Sequence, residues 1–248
     1  MSMEYKNALI IGGSSGIGRE LALNLAELGV RTVVVGRDTN RLADLKANDA
    51  RIETISIDAA GNESAQQLLS DIEPDLLVLV GGQNPKMTPV HEMNWDEFSE
   101  TWNNDTKLAF EFTKAALNLP LASGSTIVSF SSGAALGGSP LSGGYAGAKR
   151  MQHFLVNYGQ REANRLGLNL RFLCIIPKQL IAGTQIGTQA SAAYAEAAGI
   201  NAKKFMDQWE APLTAKVASS YLVDLLARKP ESDVNAYTIT GTSLEAME

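Results

Sequence analysis

Short apolar runs recur along the chain at Ala8 to Ile11, Thr32 to Val35, Ile52 to Ile57, Leu76 to Val80, Thr126 to Phe130, Leu168 to Ile176 and Tyr237 to Thr240. Their β-branched and leucine-rich make-up predicts parallel strands buried on both faces. Between them, apolar residues recur at helical spacing around 17–28, 39–47, 62–72, 95–118, 143–166 and 213–228. In the first of these, Leu21, Leu25 and Leu28 share one face. Alternation of the two patterns predicts an α/β fold, a doubly wound parallel sheet of about seven strands with helices on both faces. Punctuation agrees: Gly29 suits a helix C′ position, Asp38 can cap the helix carrying Arg41 and Leu42, and Pro120 ends the fourth helix. No repeat, charge block or linker divides the sequence, so residues 1–248 are expected to form a single domain. The stretch from Gly183 to Ala211, rich in alanine, glycine and glutamine, is read either as a substrate lid or as a plain amphipathic insertion.

Composition narrows the setting. A chain of 248 residues can bury roughly 70 to 75% of its unfolded surface without staples. One cysteine excludes an internal disulfide and two histidines make a zinc cluster unexpected, which points to a reducing, cytoplasmic compartment and to no metal. The apolar run after Lys6 is too short for a signal segment or a membrane span. A net charge of −6 and an isoelectric point near 5.1 offer no footprint for nucleic acid or an anionic membrane.

Any bound polyanion therefore needs a local site, and the end of the first strand supplies one. There the chain reads Gly12-Gly13-Ser14-Ser15-Gly16-Ile17-Gly18 and opens an amphipathic helix. In a strand–turn–helix context the glycines let backbone approach a pyrophosphate, and the free N–H groups and helix dipole of this stretch (Gly12, Ser14, Ser15, Gly16, Ile17 and Gly18) favour the anion. The second strand ends in Val35-Gly36-Arg37-Asp38, where the adenosine ribose of a nicotinamide cofactor would lie. Gly36 stands where an acidic residue would select NAD(H), and Arg37 can pair with a 2′-phosphate, so NADP(H) is favoured; Asp38 taking the ribose is the alternative. Asp58, closing the third strand, is either an acceptor for the adenine amino group or an ordinary turn aspartate.

The candidate chemistry lies further on. Tyr145 and Lys149 are four residues apart at the start of a helix, on one face, so the ammonium can lower the phenol's pKa toward the working pH. Ser132, thirteen residues before the tyrosine and just after an apolar strand, would hold the reacting oxygen. Cys174 sits in an apolar strand pattern and reads as a core thiol. Trp95, Phe98 and Trp102, at helical spacing, read as packing a core or a subunit face.

Together these motifs resemble the short-chain dehydrogenase/reductase family over nearly the whole chain. The family's Thr-Gly-x-x-x-Gly-x-Gly pattern is matched from Ile11 to Gly18 with Ile11 in place of threonine, its catalytic serine, tyrosine and lysine fall on Ser132, Tyr145 and Lys149, and Arg37 is similar to the arginine of NADP-preferring members. The resemblance implies a Rossmann-type fold and hydride transfer between NADPH and a small or medium carbonyl compound, with Tyr145 as the acid/base and Lys149 gripping the nicotinamide ribose. It also implies a homodimer or homotetramer. A cofactor-binding sensor without turnover, or a lyase or isomerase on the same fold, are the alternatives. Three departures stand out: the family's Asn-Asn-Ala-Gly is represented by Val80-Gly81-Gly82-Gln83-Asn84, with Gly81 and Gly82 near the cofactor; its active-site asparagine falls on Asp105, next to Asn103 and Asn104; and its Pro-Gly becomes Pro177-Lys178, with Thr184 as the following threonine.

Overall fold

β1 (Asn7–Ile11) runs through the middle of the sheet, and its burial explains why it reads as an unbroken apolar run. Ala8 and Ile10 enter the core on one face, Leu9 and Ile11 the core on the other. The computed structural model describes residues 3–61, 63–119, 121–228 and 234–247. In it β1 pairs in parallel with β2 (Arg31–Gly36) and β4 (Leu76–Leu79), Ile11 lying opposite Val35 and Leu79. With β3 (Glu53–Ser56), β5 (Thr126–Phe130), β6 (Arg171–Pro177), β7 (Ala236–Ile239) and β8 (Leu244–Ala246), the order across the sheet is β3-β2-β1-β4-β5-β6-β7-β8. All pairings are parallel except β7 with β8. Among the described residues the sheet has eight strands where about seven are expected: β8 is a three-residue edge strand, too short and too exposed to leave a periodic signal.

Helices cover both faces. α1 (Gly16–Glu27), α2 (Thr39–Asn48) and α10 (Ala215–Leu226) place Leu21, Leu25, Leu45 and Leu222 in one core. α3 (Ser64–Ile72), α5 (Lys107–Asn118) and α7 (Gly143–Arg165) place Leu68, Phe112 and Val156 in the other. Each such side chain withdrawn from water contributes on the order of 1.5–3 kcal/mol. Asp38 caps α2, accepting from the Asn40 and Arg41 N–H groups at 3.1 Å, and Gly29 follows α1 with φ +82°. Pro120, expected to end a helix, lies outside the described residues.

The single helix expected over 95–118 is interrupted. α4 (Trp95–Thr101) passes into a π-helical turn, Trp102–Thr106, before α5 begins. The wider turn carries Asp105, only 1% exposed, into the interior, and such insertions collect at functional sites. Residues 183–211 hold two more helices, α8 (Gln185–Ala197), capped by Thr184, and α9 (Ala202–Met206), capped by Asn201. A short α6 (Ala134–Gly137) follows β5. The order of strands reverses about β1, and the crevice that such a reversal opens beyond the carboxyl ends of the strands is where ligands of open α/β sheets bind.

Candidate active site

The loops after β1 and β4 cross in contact. Gly12 has φ +86°, and a Cβ on it would stand 2.2 Å from the Gly81 Cα. Both loops are tied down, Gly12 N–H donating to Val35 O and Gly81 N–H to Ile11 O, each at 2.8 Å. α1 then starts with Ser15 as an N-cap that makes no side-chain hydrogen bond and with no acidic residue in its first turn, whereas Asp38, Thr184 and Thr214 cap α2, α8 and α10. Its first N–H groups and dipole are left for an anion. Gly12, Ser14, Ser15, Gly16 and Ile17 line a cavity of about 960 Å³. Gly18 lies beneath it and does not line it. A Cβ there would be 2.7 Å from Gly12 O and 2.8 Å from the Val80 side chain, so this glycine serves close packing of helix on turn.

Arg37 and Asp58 line the same cavity, as do Gly81 and Gly82. Arg37 is exposed, with Nη2 3.4 Å from Gln83 Oε1. Asp38 lines the cavity as well, while its carboxylate caps the α2 N-terminus and lies 3.2 Å from Arg41 Nε. Asp58 accepts from Ala60 N–H at 3.1 Å, making its own turn while facing the cavity.

Ser132, Tyr145 and Lys149 meet in this cavity too. Lys149 Nζ lies 5.5 Å from the centroid of the Tyr145 ring. Its ammonium is nearly closed off from solvent; it donates to Gln152 Oε1 at 2.8 Å and Phe130 O at 3.4 Å, and faces Asp105 Oδ2 at 3.4 Å. Asp105 Oδ1 accepts from Gln83 N–H at 2.7 Å, while Oδ2, with no geometric hydrogen-bond partner among the described residues, forms an ion pair with Lys149 Nζ at 3.4 Å. A Cβ at Gly82 would lie 2.8 Å from that Oδ2, so a side chain there would press on the carboxylate. Burial opposes the Lys149 charge, but the Asp105 carboxylate, and after it the Tyr145 oxygen, hold its pKa above the usual lysine value. Ser131 Oγ donates to Lys149 O at 2.7 Å and pins β5 to α7. The neighbouring Ser132 Oγ accepts from Ala134 N–H at 3.2 Å and, among the described residues, has its own O–H uncommitted.

A family model described as short chain dehydrogenase matches residues 6–194. The chain belongs to the short chain dehydrogenase family. Among curated relatives it is 41% identical over 68 residues to an uncharacterized oxidoreductase, DltE, of Bacillus subtilis, covering 27% of each chain. It is 28% identical over 193 residues to an NADPH-dependent aldehyde reductase-like protein, chloroplastic, of Arabidopsis thaliana, covering 68% of this chain and 70% of that one. The curated matches are thus partial, from 27% to 70% of those relatives' length. The solved structure of levodione reductase superposes with a TM-score of 0.82 over 95% of this chain and 96% of that one, at 21% identity, a likeness of fold.

Asp105, on which the family asparagine is expected to fall, faces Lys149 Nζ at 3.4 Å. Asn103 is exposed, and Asn104, which also lines the cavity, donates its amide to Glu100 O at 2.9 Å. Lys178, where the family has glycine, lines the cavity, and its Cα would be 3.2 Å from a Cβ on Gly133. Thr184 also lines the cavity, but its hydroxyl is committed to capping α8, accepting from Gly187 N–H at 3.1 Å. Cys174 is a core thiol, its pKa pushed up to about 12 by burial.

Several lining residues were not singled out from the sequence. Tyr194 and Phe205 stack at 5.7 Å between centroids, and Trp209 meets Phe205 edge-on at 6.0 Å; all three face the cavity. Their sparse aromatic spacing in an alanine-rich stretch was the available signal. Gln152 was missed as well. Its i+3 relation to Lys149 was the only trace of it.

Proposed function

We propose that this chain is an NADP(H)-dependent oxidoreductase that interconverts a small or medium, mainly apolar carbonyl compound and its alcohol, the whole chain acting as one domain in a reducing cytoplasm. The observation that carries this reading is one cavity shared by the uncapped start of α1 and by Tyr145 beside the Lys149 ammonium. The glycine crossing, the free helix end and the size of the cavity fit a dinucleotide. When bound, NADPH supplies the hydride.

The residues do the rest. Ser132 O–H and the Tyr145 phenol donate to the substrate carbonyl oxygen, and Tyr145 gives up its proton as that oxygen becomes an alkoxide. The Lys149 ammonium favours departure of the phenolic proton and grips the nicotinamide ribose. Gly12, Ser14, Ser15, Gly16 and Ile17 take the pyrophosphate, with Gly18 supporting them from below; Gly81 and Gly82 border the cofactor, and Asp58 takes the adenine amino group. The wall formed by Tyr194, Phe205 and Trp209 favours flat, apolar substrates, and the Tyr194 hydroxyl is held by Ser139 Oγ. In this reading residues 183–211 shape the substrate end of the cavity.

Arg37 sets the preference for NADP(H). Its guanidinium is exposed at the cavity rim, and the competing carboxylate of Asp38 is engaged by α2 and Arg41. The NADPH in the name of the Arabidopsis relative points the same way. Arg37→Asp is expected to weaken NADPH about 10- to 100-fold while leaving NADH unchanged or improved. Fluorescence titration of both cofactors checks this; equal losses would remove Arg37 from the 2′-phosphate site.

A panel of ketones, aldehydes, diketones and quinones, with NADPH oxidation followed and NADH in parallel, tests the whole reading. Turnover that vanishes in Tyr145→Phe supports it. Tight NADPH binding without turnover on any carbonyl would favour a binding protein, and product without net cofactor consumption a lyase or isomerase.

A second copy of this chain is the partner we propose besides the substrate. Trp102, Phe110, Phe154 and Tyr158 are exposed on the π-turn, α5 and α7, an arrangement that fits a covered apolar face. Light scattering is expected to return the mass of a dimer or tetramer, and a monomer at all concentrations would reject it. No helix among the described residues is long and apolar enough to cross a membrane, and no nucleic-acid partner is proposed.

A further inference from the structure

Gln152 is 1% exposed on a helix that also buries Ala148, Leu155 and Val156. A buried amide is costly unless both of its ends are satisfied. Here Oε1 accepts from Lys149 Nζ at 2.8 Å, and Nε2 donates to the main-chain carbonyl of Asp105 at 3.2 Å. The chemistry fixes the orientation: the reverse would set an NH₂ group against an ammonium and two carbonyl oxygens against each other.

We infer that Gln152 is a positioning residue for the acid–base pair, spanning from the Lys149 ammonium to the π-turn and so fixing the ammonium's place relative to the Tyr145 ring and the Asp105 carboxylate. Its geometry stands by itself, and its consequence for turnover rests on the oxidoreductase reading. Among the described residues three oxygens are found around the ammonium, Gln152 Oε1 at 2.8 Å, Phe130 O at 3.4 Å and Asp105 Oδ2 at 3.4 Å, and the amide is the nearest. Gln152 also ties the π-turn to α7 through the Asp105 carbonyl, so it holds both members of the ion pair at once. Among the described residues the titratable groups acting on Lys149 are Asp105 from the π-turn, Tyr145 from its own helix and Cys174 from β6; β5 adds the Phe130 carbonyl and the Ser131 hydroxyl. An amide neither gives nor takes a proton at working pH, so Gln152 acts by placement.

The test is Gln152→Met, which fills the same space with neither hydrogen bond. Lysine-labelled protein is titrated by NMR, with Lys149→Met to assign the signal, and the pH profile of kcat is followed in parallel. In the parent, Lys149 should stay protonated above the usual lysine range, and Asp105→Asn should lower its midpoint by removing the carboxylate. Gln152→Met should lower it too, because a hydrogen bond accepted from the ammonium favours the charged form, and kcat should fall about tenfold with a displaced pH profile. A role in packing alone predicts that methionine restores everything; an unchanged Lys149 titration overturns the proposal, and so does a shifted titration with the parental kcat and profile. Should Gln152→Met not fold, Gln152→Glu replaces it: a second carboxylate must move the Lys149 midpoint upward, and no movement overturns the inference. If the parent reduces no carbonyl, the oxidoreductase reading fails while the Lys149 titration still decides the placement by Gln152.

Discussion

Tyr145→Phe loses turnover by roughly a hundred- to ten-thousand-fold and still binds NADPH as the parent does. The substitution removes one oxygen and keeps the ring, which stands 5.5 Å from Lys149 Nζ, so the packing at the start of α7 is retained. What disappears is the proton donor to the forming alkoxide, a contribution made in the transition state and not in cofactor binding. Single-turnover NADPH oxidation, with a parallel titration of cofactor fluorescence, separates the two. Parental kcat in the phenylalanine variant would show that the proton comes from elsewhere, Ser132 being one of the other hydroxyls that line the cavity.

Gly12→Ala is expected to damage fold and cofactor site together. At φ +86° an alanine is strained by its own backbone, and its Cβ would stand 2.2 Å from the Gly81 Cα, backbone against backbone with no side chain to swing aside. The left-handed conformation costs about 1–2 kcal/mol, and the clash brings the total to about 3 kcal/mol or more. For a chain of this size that lowers Tm by roughly 6 to 12 °C. Both crossing loops line the cavity, so a displacement of even ~1 Å should cost about a hundredfold in NADPH affinity, by analogy with the cost of misplacing reacting groups. A thermal melt and an NADPH titration on the same preparation check both. An alanine variant that keeps parental Tm and affinity would mean that the two loops need not touch.

Much of this was legible along the chain because it is local. Leu9 and Ile10 face opposite cores, so β1 had to be apolar at every position, and Leu21 and Leu25 line one helix stripe. The glycine turn precedes a helix directly, and Tyr145 and Lys149 are one helical turn apart, so strand, glycine turn and tyrosine–lysine pair were all readable from spacing. Arg37, nineteen residues after Gly18 in the sequence, lines the same cavity for the same reason of local spacing.

The rest depends on segments that meet only in three dimensions. A π-turn adds one residue to a helix without disturbing the apolar pattern enough to be seen, yet it decides that Asp105, and neither Asn103 nor Asn104, reaches Lys149. Gly18 belongs to the glycine motif in sequence, and only the fold shows how closely it packs under Gly12 and Val80. Gln152 has an ordinary helical position until the fold sets the Asp105 carbonyl against its amide. The sequence by itself determined the alternating architecture, the glycine turn and the tyrosine–lysine pair, since each follows from periodicity or from spacing within one element. Only the tertiary structure decided what surrounds the buried ammonium, because a charge withdrawn from water takes its partners from whichever strands and helices the sheet order brings beside it.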